Sequence, residues 1–261
     1  MPETLIPPES IRLPIRGPDF SRPPAELVAA LREYVSSATT SAMLHGMGIR
    51  QTFIQGPQPM QRGAKIVGPV VTLQFMPQRE DVASGIAQEH AERSSALWAV
   101  LDAVQPGDVL AIQANGDPYT GCLGEMLVTY FKGRGGAGIL VDGYIRDWPK
   151  VRELGVPLWT RGATPNYASQ SGQFPWAYNV PVALNRVLVL PGDILIADDD
   201  GAVIVPAQLA AGIVQHTREH EEWEAFSRQR LAEGGSIWKY YPLSEEGRRE
   251  YEEWKKEQGP A

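Results

Sequence analysis

The sequence predicts an α/β fold: a single domain over residues 24–206, with an extended N-terminal arm (1–23) and a C-terminal helical extension (207–261). Three observations carry this. The run IVGPVVTLQF is apolar and β-branched, as a strand buried on both faces would be. Residues 106–143 read strand, loop, helix, strand, a βαβ unit whose strands are parallel and whose crossover is right-handed. From Pro206 onward the pattern turns charged and amphipathic.

The elements follow in order. Residues 1–23 are Pro-rich and alternate apolar with polar, an arm that drapes over the core or a neighbour. Pro24 opens the helix PAELVAALREYV, where its missing N–H would be unpaired anyway. SSATTSAM reads as a polar break, and 66–75 as the buried strand. GIAQEHAERSSALWAVLDAV fits a long helix, with Ile86, His90, Leu97 and Leu101 near one stripe. PGDVLAIQA is a tight turn feeding a strand, and PGDILIADD repeats that form, which predicts two similar strand entries into one sheet system. After the loop NGDPYTGC, a helix spans 124–132, GRGG ends it, and AGILVDG is the next strand. Short strands follow near 157–160, 181–190, 194–197 and 202–205. The stretch QLAAGIVQHTREHEEWEAFSRQRLAEG and the tail SEEGRREYEEWKKEQ are helical and too polar for a core, which predicts packing on the surface or across a subunit boundary.

Composition narrows the function. With 261 residues, 43% of them hydrophobic, the chain can bury a sizeable core and is too apolar for disorder. A net charge of -7 disfavours non-specific nucleic-acid binding and an anionic membrane surface. Cys122 is the single cysteine, so an intramolecular disulfide and a multi-cysteine zinc site are excluded and a reducing cytoplasm is expected. The first twenty residues lack the pattern of a secretory signal, and no apolar run reaches the roughly 18–20 residues of a membrane span.

Two segments can carry chemistry. In GCLGEMLVTYF, Gly121 and Gly124 precede a helix whose first N–H groups lack internal partners and can hold an anion. In VDGYIRDWP, Asp142, Arg146 and Asp147 lie at and beyond the C-terminal end of an apolar strand, where open parallel sheets bind ligands. Arg146 offers a planar fork for a carboxylate, and Asp147 a hard oxygen for a divalent cation. The plain alternatives are a helix start with Glu125 complementing the dipole, and a surface Arg-Asp ion pair. One βαβ unit places both segments on the same sheet edge.

Together with GAGILVDGYIRD, PLWTRGATP, NVPVAL and PGDILIADDDGAVIVP, and with Arg146 placed 22 residues after Gly124, these segments resemble the RraA-like family over residues 27–231. That family includes class II 4-hydroxy-4-methyl-2-oxoglutarate/4-carboxy-4-hydroxy-2-oxoadipate aldolases. The segments SSATTSAMLHGMGIRQTFIQG and MPQREDV resemble a subgroup labelled as ribonuclease-activity regulators. The resemblance implies a swivelling β/β/α sandwich, assembly as a homotrimer or dimer of trimers, and sites at subunit boundaries. It implies that Gly124, Glu125, Met126 and Leu127 form the substrate turn, that Arg146 grips a small 2-oxo acid, that Asp147 holds Mg²⁺ or Mn²⁺, and that Glu125 adds a catalytic carboxylate. A Glu from a neighbouring C-terminal helix completes the family's site; Glu221, Glu222 and Glu224 are the candidates. The implied activity is a lyase that releases pyruvate, by retro-aldol cleavage or oxaloacetate decarboxylation. The alternatives are a non-catalytic protein that binds and inhibits a ribonuclease, and a metal-dependent lyase or dehydratase for sugar-derived acids.

Other features are read plainly. The run ADDDG (197–201) is a turn rather than a metal cluster, since adjacent Asp residues cannot all aim at one ion. His45, His90, His216 and His220 are scattered, and His216 with His220 reads as a solvated helix face. Cys122 is a packing residue, since no base is evident beside it. Asn115 and Asp117 are candidates to orient metal-bound water, and His45 and Arg50 to reach a substrate's distal end. Lys132 and Lys150 are poorly placed for a Schiff base, which favours a metal.

Overall fold

The structure is a computed structural model that describes residues 13–79, 93, 95–168 and 172–258. The chain divides into two compact units, 1–210 and 211–261.

In the first unit, β1 (Ile15–Arg16) belongs to the arm. Pro24 caps α1 (Ala25–Tyr34), and α2 (Ser37–Gly46) follows at once. The polar break expected at SSATTSAM is therefore a helix. Ser36 caps it by accepting a hydrogen bond from the Thr39 N–H at 3.0 Å, and Ser37, Thr40 and Leu44 are buried, so hydroxyls stand where an apolar stripe was sought. Next come β2 (Phe53–Ile54), β3 (Gln58–Pro59), β4 (Ile66–Pro77), α3 (Ala96–Ala103) and β5 (Val109–Gln113). Most of the N-terminal half of the helix expected over 85–104 lies outside the described residues. After β5 come α4 (Glu125–Gly133), β6 (Gly138–Asp142), β7 (Tyr144–Ile145), α5 (Trp148–Glu153), β8 (Leu158–Thr160) and β9 (Gly162–Ala163). The unit closes with β10 (Gln173–Tyr178), β11 (Val182–Leu184), β12 (Val187–Val189), β13 (Ile194–Asp198) and β14 (Gly201–Val205).

The long strand β4 organises the sheet. One edge pairs in parallel with β5, and β6 and β8 continue that parallel set. Its other edge is shared: Ile66–Pro69 pair antiparallel with β13, and Leu73–Pro77 with β10. The two Pro-Gly-Asp turns thus feed strands on opposite edges of β4. Alternation along the strands splits the core. Leu110, Ile112, Ile139 and Val141 face α3, α4 and α5, while Val109, Ala111 and Leu140 face the β11–β12 hairpin. Helices cover one face of the parallel strands and a second β layer the other. The arm is fastened at two points: β1 pairs with β10, and Arg22 grips the buried Asp108 carboxylate with two hydrogen bonds of 2.7 Å.

The second unit is helical. It holds most of α6 (Ala210–Ala232), then α7 (Ile237–Tyr240) and α8 (Glu245–Gln258). It has an apolar centre of its own, since the buried Phe226 ring lies 5.6–5.9 Å from the rings of Tyr240, Tyr251 and Trp254. Among the described residues no helix is long and apolar enough to cross a membrane.

Candidate functional site

Parallel pairing puts Gln113, the end of β5, opposite Asp142, the end of β6, so the loops that leave them share one sheet edge. They then run side by side. Gly121 forms a parallel bridge with Tyr144, the Cys122 N–H donates to the Tyr144 carbonyl at 2.9 Å, and the Arg146 N–H donates to the Leu123 carbonyl at 3.0 Å. This short ladder carries Gly124, the N-cap of α4, against Arg146 and Asp147.

The approach is close enough to require glycine. A Cβ on Gly124 would stand 2.4 Å from Asp147 Oδ2 and 2.9 Å from Arg146 Cγ, and one on Gly121 would stand 2.1 Å from the Asn166 carbonyl oxygen. Asp147 has a left-handed backbone (φ 58°), which aspartate tolerates better than most residues, and Trp148 and Pro149 then start α5. Its Oδ2 accepts from the Glu125 N–H at 3.3 Å and lies 3.4 Å from Arg146 Nε. The N–H groups of Met126 and Leu127, in the same first turn, have no partner within the helix. A hollow of about 170 Å³ lies here, lined by Gly124, Met126, Leu127, Arg146 and Asp147 together with Leu97, Trp98 and Tyr167. The Arg146 guanidinium lies 6.0 Å from the Tyr167 ring centre.

The other candidates are placed differently. The Glu125 side chain turns to Lys150, 3.0 Å away, and raises the pKa of that ammonium. Asn115 and Asp117 do not line the hollow. Asn115 accepts from the Gln113 side chain at 3.1 Å, and Asp117 accepts from the Tyr119 N–H and the Thr120 hydroxyl, so both shape their own loop. Asp142 binds Arg161 at 2.6 Å and accepts from the Asn185 N–H at 2.9 Å. Cys122 is fully buried and burial pushes its thiol pKa far up, in keeping with a packing role. His45 and Arg50 are exposed and do not line the hollow.

In the helical unit Glu221 is exposed, Glu222 is paired with Lys255 at 2.5 Å, and Glu224 lies 3.5 Å from His220. His216 is exposed, and the His220 ring packs edge-on against Trp223; His90 lies outside the described residues. The run ADDDG makes the β13–β14 turn: Asp198 accepts from the Ser37 N–H and Asp199 from the Gly63 N–H. Among the described residues no group of three or more His, Cys, Asp or Glu could hold a metal ion. Leu97, Trp98 and Tyr167 reach the hollow without any signal in the sequence, since a wall residue carries no motif.

The family model RraA-like, described as Aldolase/RraA, matches residues 31–204, and the chain belongs to this family. The match contains the whole Gly121–Asp147 segment. A putative 4-hydroxy-4-methyl-2-oxoglutarate aldolase of Halalkalibacterium halodurans is 30% identical over 164 residues, which cover 63% of this chain and 70% of that protein. A 4-hydroxy-4-methyl-2-oxoglutarate aldolase of Thermus thermophilus is 33% identical over 115 residues, 44% of this chain and 69% of that one. The crystal structure of Streptomyces coelicolor RraAS2, described as an unusual member of the RNase ES inhibitor RraA protein family, is similar at a TM-score of 0.74 and 58% identity. It covers 81% of this chain and 100% of its own.

Proposed function

We propose that this chain is a lyase that cleaves a 2-oxo acid and releases pyruvate through its enolate. The observation that carries the reading is the meeting of the Arg146 guanidinium, the Asp147 carboxylate and the first-turn amides of α4 around one hollow. Retro-aldol cleavage passes the C4 hydroxyl proton to water, breaks the C3–C4 bond as the C4 carbonyl forms, leaves the electron pair on C3 as the pyruvate enolate, and ends when C3 takes up a proton. In the enolate, negative charge gathers on the C2 oxygen. Arg146 is the cation that binds the substrate carboxylate in fork geometry, and fixed amides aimed at the developing charge need no reorganisation during the reaction.

The implied cofactor is Mg²⁺ or Mn²⁺, and the donor set suits it. Asp147 offers a hard carboxylate oxygen, and Mg²⁺ keeps several waters and needs only one or two protein carboxylates, whereas a zinc site asks for three or four ligands. Asp147 would hold the ion, which when bound supplies a Lewis acid to the substrate's α-oxygen. A Schiff-base lysine needs a lowered pKa, while the Lys150 ammonium beside Glu125 is raised and Lys132 donates to the Leu154 carbonyl at 2.8 Å. Assembly as a trimer or dimer of trimers, with Glu221, Glu222 or Glu224 reaching a neighbour's site, belongs to the same reading and is checked by light scattering and by substituting each Glu.

The test is pyruvate release from oxaloacetate and from 4-hydroxy-2-oxo diacids, with and without Mg²⁺. Activity that depends on the metal and falls at least about 100-fold in Asp147→Ala supports the reading. Full activity in that variant, or after exhaustive chelation, removes it. A second reading rests on the similarity to RraAS2: the chain binds and inhibits a ribonuclease. Inhibition that survives Arg146→Ala, with no turnover of any 2-oxo acid, would establish it in place of the first.

A further inference from the structure

We infer that Lys150 is a positioning residue that competes with the divalent cation for the Glu125 carboxylate, so that the cation gains Glu125 as a second carboxylate only when this ion pair breaks. This rests on the reading of Asp147 as the metal carboxylate and adds a residue that sets how tightly the ion is held. The observation is a contact: Lys150 Nζ lies 3.0 Å from Glu125 Oε2. The Glu125 N–H meanwhile donates to Asp147 Oδ2 at 3.3 Å. Its backbone is thus fixed beside the carboxylate that would hold the ion, while its side chain reaches the ammonium. The lining of the hollow runs through Gly124, Met126 and Leu127 and passes Glu125 by. Lys150 stands three residues after Asp147 in the first turn of α5, and residues so spaced are neighbours on a helix. Asp147 adds to the negative charge that the ammonium feels.

Charge explains why the competition matters. Arg146 Nε lies 3.4 Å from Asp147 and Lys150 stands within one turn of it, so a divalent ion at Asp147 adds to positive charge already there. A carboxylate freed from Lys150 offsets that charge. Mg²⁺ is bound through one or two carboxylates, with water and substrate at its other positions, so Asp147 alone is a minimal donor set and Glu125 enlarges it. The ion pair is weak enough to be given up. The Lys150 and Glu125 side chains are 68% and 33% exposed, and exposed pairs shift an equilibrium by at most about fivefold. At equal distance a doubly charged ion attracts a carboxylate more strongly than one ammonium does. Lys150 therefore lowers affinity for the ion without preventing its binding, and it holds the Glu125 carboxylate in one place until the ion arrives.

The experiment titrates Mn²⁺ into the full chain and reads the free ion by electron paramagnetic resonance, with calorimetry alongside. It compares the wild type with Lys150→Met, Lys150→Arg, Glu125→Gln and the double variant Lys150→Met with Glu125→Gln, and Asp147→Ala reports whether the ion sits at this turn. Lys150→Met should bind Mn²⁺ about two- to fivefold more tightly, the range that loss of an exposed ion pair allows. Lys150→Arg keeps the pair and should keep wild-type affinity. In the Glu125→Gln background Lys150→Met should change affinity by less than about 1.5-fold, since no carboxylate is left to free. The same factor in both backgrounds means that Lys150 acts through its charge alone and overturns the inference. So does a Lys150→Met variant that binds no more tightly than wild type, a Lys150→Arg variant that tightens as Lys150→Met does, or unchanged binding in Asp147→Ala. Pyruvate release from 2-oxo acids is measured separately. The expected pattern of affinities in a chain that releases pyruvate from none of them overturns the lyase reading and keeps the role of Lys150. Metal-dependent release with equal factors in the two backgrounds does the reverse.

Discussion

Gly124→Ala separates a catalytic role for the turn from a structural one. The glycine backbone there is extended (φ -132°, ψ -168°), so alanine meets no backbone penalty. The added methyl would stand 2.4 Å from Asp147 Oδ2 and 3.0 Å from Arg146 Nε, where ordinary contact begins near 3.4 Å. Something must therefore move by about 1 Å, and the nearest atoms belong to the two side chains on which the proposed reaction depends. A misplacement of about 1 Å in a catalytic group lowers turnover about 100-fold. Stability should suffer less, by about 1 kcal/mol, because both side chains are partly exposed and can yield. Gly136→Ala is the control. Its methyl would meet the buried Phe131 ring at 2.0 Å, and neither residue lines the hollow, so it should destabilise by about 1–3 kcal/mol and spare turnover of the folded fraction. Thermal unfolding and a coupled pyruvate assay read both effects. If Gly124→Ala keeps wild-type kcat/KM, the turn does not position Arg146 and Asp147 for chemistry.

Three further outcomes are expected. Arg22→Ala leaves the Asp108 carboxylate, wholly buried, without its cation, and should lower stability by about 3 kcal/mol in denaturant unfolding, with partial recovery in the double variant carrying Asp108→Asn. Burial raises the Asp193 pKa, so the folded chain holds that proton to higher pH than the unfolded one. The group's contribution to stability is greatest below its ordinary value of 3.8 and falls as pH rises through the raised value, and an unfolding series against pH should be flatter in Asp193→Asn. Cys122, buried and with its thiol pKa raised, should resist a thiol reagent in the native protein and react once per chain after unfolding; rapid native labelling would place it at an accessible site instead.

Much of the fold was legible because its signals are local. The apolar run over 66–75 became Ile66–Pro77, and the glycines of GCLG and GRGG bracket a helix that starts one residue from the expected position. The two Pro-Gly-Asp turns are alike in chemistry as well as in letters. The Gln105 N–H donates to Asp108 at 2.8 Å, and the Leu190 N–H donates to Asp193 at 2.9 Å, so each carboxylate closes a four-residue turn ahead of its strand. What stayed hidden depends on distant partners. Helix α2 is held by a serine cap and by Asp198, 161 residues from Ser37, and shows no stripe. The pairing of β10 with both β4 and β1 leaves no mark in any of the three segments. The left-handed backbone of Asp147 was equally unreadable, since a glycine would have announced it and an aspartate does not.

The meeting of the candidate residues was legible in part because spacing in a βαβ unit is geometry. Nine residues of α4 carry the chain away from the sheet edge at Gly124, a glycine turn reverses it, and the five residues of β6 bring it back beside β5. The step of 22 positions from Gly124 to Arg146 is the length of that circuit. One residue more in β6 would turn Asp142 and all that follows to the opposite face of the sheet. Arg146 would then leave the hollow even though every motif letter survived. Glu125 shows the converse limit. It occupies the right turn, yet its carboxylate is drawn to Lys150, because a helix start fixes where a backbone amide points and leaves a four-bond side chain to whichever charge is nearest.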